Sequence, residues 1–336
     1  MNFFDEAKSS EKHEKVAVLP NRTVLCKRRS SQIRIDDDDI SPIVNILFVH
    51  GSCASSSQYD DLIHALEIQV TYMVKSEKLQ ISKINYFSYD QLGCAGSKHP
   101  ADDWEAFSSA NLLQDLQSIV QNGILPNSKA SSPLFIVGHS HGCSQVIQLV
   151  NSLSDSNRDR IKGLVLIGGA LKDGPGGLAR DGGHWIFKYV PMFMLRKMQP
   201  SLSQGFFDAA VHPKNRERLR ESAINVSNTN DMLFCKAFYR QQVYASSEEA
   251  SKAKVSFHKH YWISYCWLNN FLPNGFIIRR SSSWMWPRQK LLYYTDQKIS
   301  YCHVMPVSIC INASKIQCLS LFRIVVIRSF KKNRMK

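Results

Sequence analysis

A chain of 336 residues is long enough for one sizeable α/β domain or two small ones, and its core needs neither disulfides nor a metal. Its 44% hydrophobic and 21% charged residues, with only 16 Gly and 12 Pro, exclude collagen-like, coiled-coil and wholly disordered chains. The net charge of +14 is unevenly placed: residues 255–336 hold 13 of the 42 Lys and Arg and one of the 28 Asp and Glu, a net +12, which leaves 29 basic against 27 acidic residues, +2, for the rest.

No run approaches the length of a membrane-spanning helix. The two best, Trp185 to Leu195 and Cys318 to Ile327, are broken by Lys188 and Arg323. Met1 to Val16 mixes acids and bases without an apolar stretch, so no secretory signal is read, and residues 1–15 are expected to be flexible. The expected location is the cytoplasm or a membrane surface facing it, where the nine Cys are free thiols.

Two short strand-like runs follow, Val24 to Arg28 and Gln32 to Ile35, then the acidic run Asp36 to Asp39, read as a solvated turn. Ile43 to Val49 is almost continuously apolar, as in strands buried on both faces of a parallel sheet, and it ends in His50-Gly51. Ser57 is placed to N-cap a helix whose apolar positions Leu62, Ile63, Leu66 and Val70 recur at helical spacing. Ile84 to Tyr89 is a second strand, running into the turn-rich Asp90 to Ser97. Trp104 to Val120 is the next amphipathic helix, stopped by Gly123 and Pro126. A third strand, Pro133 to Val137, meets Gly138-His139-Ser140-His141-Gly142 and leads into a helix over Ser144 to Leu153; a fourth, Ile161 to Ile167, ends in Gly168-Gly169. Strand and helix alternate four times, the mark of a doubly wound, mostly parallel sheet over residues 16–170. Residues 171–254 break the alternation and are predicted to form a helical cap.

The segment 255–336 departs in composition as well as charge. It holds four of the six Trp, four Cys, no Glu and the single glycine Gly275, with no sustained period of either kind. It is expected to be a basic, poorly ordered tail. One alternative is a basic aromatic segment that binds membrane or RNA; another is an unpatterned extension of the kind an altered reading frame or a retained intron produces. Nucleic acid is not an expected partner of the near-neutral body, and no feature identifies a protein partner.

Gly138-x-Ser140-x-Gly142 lies between an apolar strand and a helix, the setting in which a strained turn lifts a serine Oγ above a sheet while the glycines let backbones meet. Acyl transfer from such a serine needs oxyanion donors. The backbone N–H of His141, following the nucleophile, and that of Ser52 or its neighbour, following His50-Gly51, are the candidates. The His50 side chain is expected to order its loop. His139 and His141 flank the turn on opposite sides, and no third ligand has characteristic spacing, so no metal is read; the chemistry requires no cofactor.

His50-Gly51 after a strand, the loop Asp90-x-x-Gly93-x-x-Gly96-Ser97 and Gly138-His139-Ser140-His141-Gly142 together resemble the α/β-hydrolase superfamily, in particular its lipase- and esterase-like domain-containing members. The resemblance covers residues 40 to 170 and implies a serine ester, thioester or amide hydrolase with Ser140 as nucleophile. A Ser at 140, where epoxide hydrolases and dehalogenases carry Asp, sets those branches aside. The usual second loop reads D-x-x-G-x-G-x-S; here Ala95 stands where the second Gly falls. The family orders its triad Ser, Asp, His, with acid and base after two further strands. Neither strand is legible: Asp296 follows the strand-like Leu291 to Thr295, but His303 is only seven residues on; Asp173, His258 and His260 are the other residues late enough in order. The chain is therefore expected to lack the usual C-terminal part of the sheet. Two functions follow. One is a serine hydrolase of small acyl esters or lipid-like substrates, its cap aromatics lining an acyl pocket or touching a membrane surface. The other is a truncated, non-catalytic hydrolase-fold protein that acts as a binding module.

Overall fold

In a computed structural model of the chain, the described residues are 9–19, 21–33, 42–76, 81–100, 102–129, 131–169, 171–172, 184–210, scattered positions from 213 to 224, 230–253, and the backbone of three later strands, 292–295, 298–307 and 322–327. The strands, in chain order, are β1 (Ser9–Leu19), β2 (Arg22–Gln32), β3 (Ile43–Val49), β4 (Lys83–Tyr89), β5 (Leu134–His139), β6 (Ile161–Ile167), β7 (Leu292–Thr295), β8 (Lys298–Val307) and β9 (Phe322–Ile327). They form one mixed sheet in the order β1-β2-β4-β3-β5-β6-β9-β8-β7. The central strands β4, β3, β5 and β6 are mutually parallel, as the alternation of strand and helix predicts.

The helices divide between the two faces, as the side-chain alternation of the strands requires. Ile46 and Phe48 of β3 point to one face and pack with Ile63, Val70 and Val74 of α1 (Asp60–Lys75). Leu47 and Val49 point to the other, with Leu112 and Leu116 of α2 (Ser109–Ser118) and Val146, Leu149 and Val150 of α3 (His141–Ser152). β3 is buried on both sides because apolar residues fill nearly all its positions, and its predicted bounds, like those of β6, match the structure. A short helix, α4 (Asp155–Arg158), joins α3 to β6.

Several local expectations are corrected. Strand β1 begins at Ser9, inside the segment expected to be flexible, and pairs with β2 from Ser9↔Ser31 to Leu19↔Arg22. Its Lys12, Glu14 and Lys15 are exposed charges on an edge strand, so the pairing leaves no apolar period in the sequence. Ser57 caps nothing: a 3₁₀ turn over Ser56–Tyr59 comes first, and α1 starts at Asp60, where Asp60 and Asp61 complement the helix dipole. The helix expected over Trp104 to Val120 is a 3₁₀ turn, then α2 capped by the Ser108 hydroxyl, which accepts from Asn111 N at 3.3 Å, then a π turn over Ile119–Ile124. Helix α3 starts at His141 rather than Ser144, directly after the bend at Ser140.

The cap region contributes α5 (His184–Tyr189), α6 (Met192–Ala210), α7 (Met232–Gln241) and α8 (Ser247–Lys252). Phe234 and Phe238 of α7 are buried in the same core as α2 and α3. Beyond β6 the sheet does not continue by parallel crossovers among the described residues. Strand β9 meets β6 antiparallel through two residue pairs, Leu166↔Val325 and Ile167↔Ile324, and β8 and β7 extend it as an antiparallel meander. These three stretches of backbone lie within the expected tail: an open strand edge offers unpaired N–H and C=O groups, and β-branched runs such as Ile324 to Ile327 suit it. The remainder of 255–336 lies outside the described residues.

Candidate active site

Ser140 sits between the end of β5 and the first residue of α3 with φ +52° and ψ −121°, a conformation that side-chain-bearing residues rarely adopt. The surroundings hold it there. Ser140 N donates to Ile167 O of β6 at 2.9 Å, and Ser140 O accepts from Cys143 N at 3.0 Å. Glycine is required on either side. A Cβ at Gly142 would fall 2.4 Å from Val49 O and 2.7 Å from His50 O, and one at Gly138 would fall 2.9 Å from Gly142 O. The two glycines thus let α3 start in contact with the end of β3. Gly51 closes the same junction: its Cβ would stand 3.0 Å from Ser140 Cβ and 3.1 Å from His139 Nδ1. The sequence-predicted Gly51, Gly138, Ser140 and Gly142 are therefore brought together at one point above the sheet.

His50 is fully buried and orders the loop after β3. Its Nδ1–H donates to Gly51 O at 2.8 Å, and its Nε2 accepts from Gln91 N at 2.9 Å, an arrangement that fixes the neutral tautomer. Burial pushes its pKa down to about 4. With both ring nitrogens engaged, it is not placed to take a proton from Ser140. Gln91 also donates to His50 O at 2.8 Å and to Gln145 Oε1 of α3 at 2.9 Å, linking both loops to the helix that follows Ser140.

The loop Asp90 to Ser97 is a structural brace. Asp90 Oδ1 accepts from Ser56 N at 2.8 Å and Oδ2 from Gly96 N at 3.0 Å; Ser97 Oγ donates to Asp90 O at 2.6 Å and accepts from Leu25 N at 2.7 Å. Ala95, at the position where the family pattern carries glycine, has φ +39°. The chain keeps the left-handed turn there in spite of the Cβ.

Ser52 follows Gly51, whose Cβ position lies against Ser140, and His141 follows Ser140 itself. His141 opens α3, where first-turn N–H groups have no intrahelical acceptor and the helix dipole favours negative charge. Its ring is buried, edge-on to Phe238 at 5.3 Å and to Tyr244 at 5.8 Å. Ser52 Oγ accepts from Gln242 Nε2 at 3.1 Å, Asn230 Nδ2 donates to Cys53 O at 2.7 Å, and the Cys53 and Cys235 sulfurs are 3.7 Å apart. The cap thus grips the loop after β3 through three contacts on two consecutive residues, Ser52 and Cys53. No sequence signal marked Gln91, Asn230, Cys235 or Gln242; of these only Gln91 lies inside a recognised motif.

Among the described residues no side chain hydrogen-bonds the Ser140 hydroxyl, and no group of three His, Cys, Asp or Glu is arranged to hold a metal ion. The acid and base candidates Asp173, Asp296, His258 and His260 lie outside the described residues, and His303 is described only as backbone of β8, opposite Val326.

The pattern of the alpha/beta hydrolase family matches residues 46–250, from β3 through the cap. The chain belongs to the α/β-hydrolase family. It is 32% identical over 127 residues to the probable lysophospholipase BODYGUARD 5 of Arabidopsis thaliana, a match that takes in 37% of this chain and only a quarter (25%) of that protein's length. Among solved structures, it resembles an esterase from Exiguobacterium antarcticum (15% identity, 68% of this chain and 72% of the other, TM-score 0.45). It also resembles the enol-lactonase from Burkholderia xenovorans LB400 (14% identity, 72% and 78%, TM-score 0.47). Within the α/β-hydrolase frame, Ser140 occupies the strand-to-helix bend and the loop after β3 lies against it. No described helix is long and apolar enough to cross a membrane.

Proposed function

We propose that the chain is a serine hydrolase of carboxylic esters that works through an acyl-enzyme on Ser140. The observation that carries this is the backbone of Ser140, held at φ +52° beside the N-terminus of α3 and the loop after β3. Ser140 Oγ attacks the ester carbonyl and its proton passes to a base. The new Oγ–C bond gives a tetrahedral oxyanion, which accepts from the backbone N–H groups of His141 and Ser52. The alcohol leaves with a proton, and water then releases the acid by the reverse sequence. His50, locked in its loop, and His141, its ring turned into the cap, do not supply that base. The lysophospholipase name of the Arabidopsis relative supports a small acyl ester or lipid-like substrate.

The test is covalent labelling by a fluorophosphonate probe, which reacts with activated serines. Wild-type protein labels and Ser140→Ala does not. Equal labelling of both, or none in folded wild-type protein, overturns the proposal. A second reading is a hydrolase-fold binding module without catalysis, since a serine hydroxyl without a base is a poor nucleophile. Folded wild-type protein that fails to label is the outcome this reading expects.

A further inference from the structure

Helices α5 and α6 meet at a turn that holds three large apolar side chains toward water: Tyr189 is 69% exposed, Phe193 66% and Met194 43%. Isolated exposed apolar residues are ordinary, but three within six positions are not. Their exposure is imposed by how the turn is anchored. On its inner side the Phe187 ring stacks on Tyr239 of α7, with centroids 4.6 Å apart and planes 24° apart, Lys236 Nζ donates to Val190 O at 2.6 Å, and Leu195 is completely buried. At 100° per residue, Phe193, Met194, Arg196 and Lys197 occupy the arc of α6 opposite Leu195. The outward face is therefore fixed by the packing of the inward one.

The charge on this face has one sign. From His184 to Phe207 the sequence contains Lys188, Arg196 and Lys197 and no Asp or Glu. Arg196 and Lys197 are exposed beside Phe193 and Met194, and Lys188 Nζ lies 5.3 Å from the centre of the Tyr189 ring. Aromatic and thioether groups at the level of the head groups, ringed by cations that reach lipid phosphates, are the combination an anionic membrane surface accepts and bulk water does not. From these residues we infer that the α5–α6 face of the cap docks on an anionic phospholipid surface, with Tyr189, Phe193 and Met194 entering the interface and Lys188, Arg196 and Lys197 on the head groups. This placement stands whether or not Ser140 forms an acyl-enzyme.

The experiment must separate this face from residues 255–336, whose net +12 attracts anionic vesicles by itself. Full-length protein is mixed with phosphatidylcholine vesicles with and without about 30% phosphatidylserine, and the bound fraction is measured by flotation. Wild type is compared with Phe193→Ser/Met194→Ser and with Lys188→Gln/Arg196→Gln/Lys197→Gln. Both variants alter outward-facing side chains, and their unfolding midpoints check that the cap is intact. The expected result is binding that requires the anionic lipid and a partition coefficient about tenfold or more lower in each variant. A double-Ser variant that partitions like wild type overturns the inference, and any binding then belongs to the basic segment. Wild-type protein that ignores anionic vesicles overturns it as well.

Discussion

The strain at Ser140 has a measurable sign. A residue with a Cβ at φ +52°, ψ −121° carries a cost of about 1–3 kcal/mol that glycine escapes. Alanine at this position retains the cost, because the Cβ and not the hydroxyl is what the backbone resents. Glycine releases it but adds about 0.5–1 kcal/mol of unfolded-chain entropy. The difference leaves Ser140→Gly more stable than Ser140→Ala by about 1 kcal/mol. For a folded unit of this size that is a rise of roughly 2–4 °C in the unfolding midpoint. Thermal unfolding followed by near-UV circular dichroism, with urea denaturation to confirm an unchanged m-value, measures it, and both variants lose fluorophosphonate labelling. If the Gly variant is no more stable than the Ala variant, the serine is not held in a strained bend, and the catalytic reading loses its support.

Gly142→Ala places a methyl group 2.4 Å from Val49 O, a backbone atom that no rotamer change can move, so α3 must withdraw from β3. We expect a loss of about 3 kcal/mol in urea denaturation and little Ser140 labelling even in the folded fraction; wild-type stability would show that the helix start is not pinned. Two buried groups titrate in opposite senses. His50 has a folded pKa of about 4, below its ordinary 6.5, so its contribution is complete above pH 6.5 and is lost as pH falls toward 4, by roughly 3 kcal/mol. Asp115 is raised by burial to about 6, from an ordinary 3.8, even though Arg22 pairs with it; the fold then gains a similar amount as pH falls from 6 toward 4. Relative to wild type, His50→Gln therefore gains and Asp115→Asn loses stability as pH falls from 6.5 to 4.5; parallel slopes for all three proteins would refute the assignment. Mild oxidation with diamide joins Cys53 to Cys235, whose sulfurs are 3.7 Å apart, and peptide mapping without reductant finds that bridge before any other among the described cysteines. The hydrogen bond with the Cys235 thiol, together with burial, raises the Cys53 pKa, so the bridge forms faster as pH rises.

What the sequence discloses follows from where each element gets its stability. β3 and β6 are legible to the residue because strands covered on both faces must be apolar at almost every position and must end where turns begin. Strand β1 is not, although the run Val24 to Arg28 of its partner β2 is, because β1 is largely a row of exposed charges held by backbone ladders, which have no side-chain signature. Ser140 and its glycines are legible for a different reason: close backbone approach excludes every other residue type at Gly138 and Gly142, so the geometry is written directly in composition. Gln91, Asn230 and Gln242 brace the same site through tertiary hydrogen bonds that many polar residues could make from many positions, and spacing cannot mark them.

The bend at Ser140 and the acyl transfer proposed for it are separable. Every atom that holds Ser140 in its bend belongs to the stretch from β3 to β6: Ile167 O and Cys143 N bond its backbone, Gly51 faces its Cβ, and Gly142 lies against Val49 O and His50 O. These contacts all lie before the cap, whereas this family draws its base from the segment after it. The bend at Ser140 is thus held by two cores that also stabilise the sheet, so losing a base would leave the bend, its strain and the surrounding glycines unchanged. A serine at positive φ therefore locates where acyl transfer would occur but does not establish that it does. Only reaction at Ser140 Oγ itself distinguishes a working hydrolase from a hydrolase fold that has kept its elbow.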